Sequence, residues 1–153
     1  MSSENETPKR ERPPGSRRKE SQWTAEERAA IQERARELRT TGKIDGETAV
    51  RAAIAAMPES DRSIAQRVHN IVRAVAPSLT PRTWYGMPAY AVAGKVLCYF
   101  TPASKFQTRY ATFGFTDAAR LDDGNLWPVA FALKDLTPAE EAKIVELLTK
   151  AIG

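Results

Sequence analysis

Trp84-Tyr85-Gly86-Met87-Pro88-Ala89-Tyr90 is the stretch that decides the fold, because the chain changes there from helical to strand-like patterns. Gly86 permits a backbone turn that a residue with a Cβ would resist. Pro88 fixes its own φ and pushes Met87 into an extended conformation. The segment therefore predicts an apolar corner directly before the first β-strand. Its aromatic side chains either fill the core or form the wall of a pocket.

The segments after this corner have the composition and alternation of β-strands. Ala93-Gly94 separates the first two and favours a hairpin turn. Pro128 places the last strand at an edge of the sheet or delays its start. In the second segment we expect Val96, Cys98 and Phe100 on one face, since side chains alternate along a strand. The four predicted strands are Ala89–Val92, Val96–Thr101, Gln107–Phe115 and Leu126–Leu133.

Helical patterns precede and follow these strands. The last helix has the clearest start, with Thr137 as N-cap, Pro138 at the first helical position and Glu140 completing a capping box. Earlier helices are predicted from Thr24 to about Thr40, from about Glu47 to Met57 and from about Ser60 to Val75. This order predicts an α+β fold, in which helices flank an antiparallel sheet of about four to five strands. An N-terminal helix and a disordered tail precede that domain.

Composition divides the chain into a disordered basic tail at residues 1–22, a peripheral helix at 23–44 and an α+β domain at 45–153. The tail holds three prolines and ten charges, with no apolar residue beyond Met1. Such a segment buries too little surface to offset the entropy of ordering. Residues 1–44 carry 11 lysines and arginines against 8 acidic residues, whereas residues 45–153 carry 12 against 11. No membrane-spanning run and no secretory signal are evident, so a cytoplasmic protein is expected.

Catalytic chemistry has little support in the sequence. The only histidine, His69, has no Cys, Asp or Glu partner close to it along the chain, and we expect a structural or surface role for it. The single cysteine, Cys98, lies within an apolar strand, which favours a buried and unreactive thiol. No P-loop, dinucleotide-binding glycine motif or nucleophile elbow occurs. We therefore expect a protein without enzymatic activity.

The sheet offers the expected binding site. One of its faces packs on the helices, and the other can leave tyrosines and cations around a concave surface. Such a surface suits a small anionic or aromatic ligand better than a metal ion, and core packing is the alternative explanation for the same aromatic side chains. The candidate ligand-binding residues are Tyr85, Met87, Tyr90, Lys95, Lys105, Arg109 and Tyr110.

Tyr85-Gly86-Met87-Pro88-Ala89-Tyr90, followed by Gly94-Lys95-Val96, an aromatic strand ending at Phe100 and then Lys105, resembles the YdhG-like family. This is a bacterial domain family of unknown function, and the resemblance covers about residues 54–152. It implies a compact α+β fold with an antiparallel sheet flanked by helices. Members are often labelled frataxin-like iron chaperones. The resemblance therefore also implies that iron is bound and delivered to iron–sulfur or haem assembly.

Two functions are open at this point. The first is a non-enzymatic small-ligand-binding domain, whose ligand is a small anionic molecule or, as the resemblance implies, iron. The alternative is an interaction module that contacts nucleic acid or a partner protein through its basic N-terminal arm. Arg17-Arg18-Lys19 forms a short basic cluster in that arm, and such clusters attract polyanions.

Overall fold

The computed structural model describes residues 23–40 and 45–153 of the chain. The predicted disordered tail at residues 1–22 lies outside the described residues, and so does its basic cluster. The nucleic-acid or protein contacts expected of this arm therefore stay a prediction.

The described residues form an α+β fold with four α-helices and one five-stranded antiparallel sheet, as the sequence predicts. The helices are α1 (Ala25–Thr40), α2 (Gly46–Ala55), α3 (Glu59–Val75) and α4 (Pro138–Ile152). The strands are β1 (Thr80–Trp84), β2 (Met87–Val92), β3 (Lys95–Thr101), β4 (Ala111–Phe115) and β5 (Ala130–Leu133). A short 3₁₀ turn, Ala103–Lys105, follows β3. None of the described helices combines the length and apolar character needed to cross a bilayer.

The strands pair in sequence order, so that β1 and β5 form the two edges of the sheet. The sequence prediction missed β1, which contains Pro81. Proline lacks the N–H that a central strand needs, but an edge strand tolerates it. The Trp84–Tyr90 segment is consequently a hairpin between two strands rather than the approach to a first strand. Tyr85 and Gly86 form its turn with φ angles of 52° and 77°, the positive values typical of a two-residue hairpin.

The core lies between the sheet and helices α2, α3 and α4. Its largest fully buried side chains include Tyr90, Phe100 and Phe113 from the sheet. The register between β2 and β3 shifts after Tyr90. This irregularity corrects the predicted alternation, since Leu97 rather than Val96 joins Cys98 and Phe100 in the core cluster. A β-bulge has this effect because one extra residue locally resets the alternation of side chains.

The bounds of two predicted strands need correction, whereas the predicted start of the last helix does not. The third and fourth predicted strands are shorter than their apolar patterns, because β4 begins at Ala111 and β5 at Ala130. The late start of β5 agrees with Pro128. The capping box at the start of α4 is confirmed, and the Thr137 N–H donates to Glu140 Oε2 over 2.9 Å.

Helix α1 contacts β1 from outside the core. Among its described side chains only Ala30 is buried. The helix thus contributes little to the core, and it brings charged side chains to the hairpin turn at Gly86.

Candidate functional site

The two ends of the Trp84–Tyr90 segment have different surroundings. Tyr85 is 36 % exposed at the turn, whereas Met87 is 6 % exposed and Tyr90 is fully buried. Thr101 Oγ1 donates to Met87 Sδ over 3.1 Å, which fixes the start of β2 to the end of β3. The corner therefore contributes Tyr90 to the core and leaves Tyr85 at the surface.

The remaining predicted site residues do not converge with this corner, apart from Lys105. Lys95 forms an ion pair of 2.8 Å with Asp117, and both side chains are more than half exposed. The Arg109 guanidinium lies over the Tyr110 ring at 5.5 Å, in the loop that precedes β4. Neither group lines the cavity that Lys105 lines.

Lys105 lines an open cavity of about 350 Å³ beside the hairpin turn. Helix α1 forms one wall, the C-terminal end of α2 another, and the 3₁₀ turn a third. The lining residues are Glu33, Arg36, Ala53, Ala56, Met57, Pro58, Thr83, Gly86, Pro102, Ser104 and Lys105.

The charged centre of this cavity is an ion pair between Lys105 and Glu33. The two side chains meet at 3.0 Å, and Lys105 is only 12 % exposed while Glu33 is 41 % exposed. Gly86 makes room for the pair, because a Cβ there would lie 1.5 Å from Glu33 Oε2 and 2.9 Å from Lys105 Nζ. Glycine is thus required at position 86 both by its positive φ and by the close approach of these two side chains.

A buried carboxylate fixes the 3₁₀ turn that carries Lys105. Asp61, in the first turn of α3, is 4 % exposed. It accepts the N–H groups of Ala103 and Ser104 over 3.0 and 3.1 Å. A buried carboxylate is tolerated when main-chain donors satisfy both oxygens. Sequence reasoning missed Asp61, because an acidic residue in a first helical turn is already explained by the helix dipole.

A second polar cluster lies behind the sheet and centres on His69, which is 1 % exposed. Its Nδ1 lies 2.8 Å from Tyr90 Oη, and its Nε2 lies 2.7 Å from Glu47 Oε1. One tautomer of the imidazole satisfies both contacts, since its Nε2–H donates to Glu47 and its Nδ1 accepts a hydrogen bond from the Tyr90 hydroxyl. His69 therefore has an acidic partner that sequence proximity did not show, and the expected structural role is supported by its burial.

The net pKa shifts of Tyr90 and Glu47, at the two ends of this hydrogen-bonded series, have opposite directions. It raises the pKa of the Tyr90 hydroxyl strongly, so that Tyr90 stays protonated. Burial also raises the pKa of Glu47, but hydrogen bonds from His69 and Arg51 and the charge of Arg73 outweigh it and lower the net pKa. Glu47 is thus an ionised carboxylate at neutral pH. Glu47 also lines an open concavity, together with Arg51 and Arg73.

The donor chemistry of the cavity does not fit iron. Its one carboxylate, Glu33, is engaged by Lys105, and Arg36 adds a second cation to the wall. Protein-bound iron ions prefer clustered carboxylates and imidazoles as ligands. No group of three or more His, Cys, Asp or Glu side chains comes together within residues 23–40 and 45–153. Cys98 is buried, and burial raises its pKa to about 12.

Comparison with known proteins returned no matching family model, curated protein or solved structure. Membership of the YdhG-like family, and the iron binding that it implies, stay predictions.

Proposed function

We propose that this protein is a non-enzymatic small-ligand-binding domain of the cytoplasm, whose ligand is a small organic anion held in the cavity beside Gly86 and Lys105. The observation that carries this proposal is a cation at 12 % exposure on the wall of an open, partly apolar cavity. A cation shielded from bulk water attracts an anion more strongly than an exposed one does, because the effective dielectric constant is lower.

Lys105 retains donors for a ligand. Its ammonium group has three N–H donors, and the hydrogen bond to Glu33 over 3.0 Å accounts for one of them. Glu33 is 41 % exposed, so it can turn toward water when an incoming carboxylate or phosphate takes its place. The bound anion would then occupy the space above Gly86 that a Cβ would otherwise fill.

The other walls favour a ligand with an apolar body. Met57, Pro58 and Pro102 line the cavity together with two alanines of α2. A volume of about 350 Å³ falls within the range of pockets that hold small organic molecules. The ligand class that fits is therefore an apolar or aromatic acid rather than a bare inorganic anion.

A thermal-shift screen with small aromatic and aliphatic carboxylates tests this proposal. We expect at least one of these acids to raise the unfolding midpoint in a saturable manner. Lys105→Met should weaken its binding about tenfold, the effect of losing one charge-assisted hydrogen bond. Lys95→Met is the matched control, since Lys95 lies outside the cavity. Equal affinity in the wild type and Lys105→Met would contradict the proposal, and so would a screen with no binder.

The basic N-terminal arm supports a second candidate function. Residues 1–44 carry 11 lysines and arginines against 8 acidic residues. This excess of positive charge attracts polyanions. If the arm binds nucleic acid, a chain that lacks residues 1–22 should lose that binding. The affinity of the full chain should fall steeply as salt increases. Binding that survives the truncation unchanged would exclude this role for the arm.

A further inference from the structure

We infer that the open end of the Tyr90–His69–Glu47 chain is a binding site for hydrogen phosphate, formed by Arg51, Arg73 and Asn70. This site lies at the N-terminal half of α2, whereas the Lys105 cavity lies at the C-terminal end of the same helix. It does not depend on the function proposed for Lys105.

Glu47 holds both arginines by their Nε groups. Arg51 Nε donates to Glu47 Oε1 over 2.9 Å, and Arg73 Nε lies 3.4 Å from Glu47 Oε2. Arg73 Nη1 also donates to the carbonyl of Leu79 over 3.0 Å. Within the described part of the chain, these contacts leave both terminal nitrogens of Arg51 and Nη2 of Arg73 available to a ligand. Planar guanidinium groups held in this way match the oxygens of phosphate.

The arginines face an open concavity of about 550 Å³. Asn70 lies on its wall, and Asn70 Oδ1 accepts a hydrogen bond from Gln66 Nε2 over 3.0 Å. That bond leaves the amide N–H₂ of Asn70 as the group that can donate to a ligand. Two guanidinium groups and one carboxylate give the concavity a net positive charge.

The buried residues behind Glu47 fix the position of its carboxylate. Tyr90 fixes His69, and His69 fixes Glu47, through hydrogen bonds of 2.8 and 2.7 Å. A binding group is most effective when the residues behind it lock its position. Tyr90 is thus a positioning residue for the arginines, although its own hydroxyl is too deeply buried to touch a ligand.

One atom at the site selects among anions. Glu47 Oε2 is buried and accepts no hydrogen bond from the described residues. An anion with a proton of its own can donate to this oxygen, once the Arg73 guanidinium turns toward the ligand. Hydrogen phosphate carries such a proton near neutral pH, whereas sulfate and the dianion of a phosphate monoester do not. Repulsion between Glu47 and those two anions therefore stays uncompensated.

Calorimetric titration of the full chain at pH 7.5 and constant ionic strength tests this site, with inorganic phosphate, sulfate and methyl phosphate as separate probes. We expect inorganic phosphate to bind about tenfold more tightly than sulfate or methyl phosphate, since only it donates to Glu47. Arg51→Gln should weaken phosphate binding about tenfold, and this side chain is 69 % exposed, so the fold should tolerate the change. Arg73→Gln should act in the same direction.

Arg62→Gln is the matched control, because Arg62 is on α3 but does not line this concavity. Equal losses in Arg51→Gln and Arg62→Gln would reduce the effect to general electrostatic attraction and overturn the site. Undetectable phosphate binding, or equal affinity for phosphate and sulfate, would also overturn it. Tyr90→Phe should weaken phosphate severalfold at a temperature where the variant is folded, which a purely structural role would not do. Lys105→Met should leave phosphate affinity unchanged, so failure here and failure of the Lys105 site are distinguishable.

Discussion

Tyr85 and Tyr90 lie five residues apart in one segment, yet their surroundings are opposite. Tyr85 is 36 % exposed, with the Trp84 ring at 5.1 Å and the Arg34 guanidinium at 5.9 Å from its own ring. Tyr90 is fully buried and hydrogen-bonded to His69. The hairpin turn and the alternation of β2 separate them. An aromatic motif of this kind can therefore place one aromatic side chain in the core and leave another at the surface, next to the cavity that Gly86 lines.

The buried end of the segment should dominate stability. His69→Ala removes a partner of both Tyr90 and Glu47, and it leaves a void in the core. The buried Tyr90 hydroxyl loses its partner, whereas Glu47 keeps its contacts with Arg51 and Arg73. The unsatisfied hydroxyl and the void together should cost about 3–5 kcal/mol in the free energy of unfolding. Urea denaturation measures this cost.

Asn70→Ala is the control for that substitution, because Asn70 is the next residue and is exposed. It should change the free energy of unfolding by no more than about 0.5 kcal/mol. A cost below about 1 kcal/mol for His69→Ala would show that the Tyr90–His69–Glu47 hydrogen bonds contribute little to stability. It would also remove the distinction between the buried and exposed ends of the Trp84–Tyr90 segment.

Alkaline pH should destabilise the protein through the buried end as well. Burial raises the pKa of Cys98 from 9.0 to about 12 and raises the pKa of Tyr90 above its usual value of 10.0. The unfolded chain releases these protons first, so the stability that they contribute is present below pH 9 and falls as the pH rises. Each group should remove about 1.4 kcal/mol per pH unit above its unfolded pKa.

Denaturation curves between pH 8 and pH 11 check this loss. Cys98→Ala should flatten the profile from pH 9 upward, and Tyr90→Phe should flatten it above pH 10. Tyr85→Phe is the matched substitution at the exposed end of the segment. An equal effect of the two tyrosine substitutions would mean that the burial of Tyr90 does not cause the loss of stability.

The smallest expected change in the free energy of unfolding is at the exposed end of the Trp84–Tyr90 segment. Gly86→Ala and Gly94→Ala both place a Cβ at a positive φ, 77° and 78° respectively, which should cost each about 1–2 kcal/mol. Only Gly86→Ala also displaces the Glu33–Lys105 pair, because no atom lies within 4 Å of a Cβ at Gly94. The difference between the two variants should be at most about 1 kcal/mol. Identical urea midpoints would show that the ion pair adds nothing to stability.

Local patterns were sufficient for much of this fold. The capping box at Thr137, the hairpin turn at Ala93-Gly94 and the late start of β5 after Pro128 all depend on residues close together in sequence. Strand β1 was missed because Pro81 concealed it. The bulge at Leu97 was missed because a change of register arises between two strands and leaves no mark on either sequence alone.

The two sites were harder to predict than the fold. Lys105 was among the predicted site residues, but its partner Glu33 lies 72 residues away. Glu47 lies 22 residues from His69, and the hydrogen bond between them exists only because α2 and α3 pack together. Tyr90 was predicted as a ligand-binding residue, and the structure places it in the core. Contacts between separate elements decide these cases, and residue spacing carries no information about them.

The length of α2 has a consequence for how the molecule would respond to two anions. Its ten residues extend over about 15 Å, and a proposed anion site lies toward each end. A doubly charged hydrogen phosphate and a singly charged carboxylate at that separation repel each other by about 0.6 kcal/mol in water, and physiological salt reduces this further. Occupation of one end would therefore barely alter the affinity of the other. The helix would keep the two sites electrostatically separate, and the protein would bind the two ligands independently of each other.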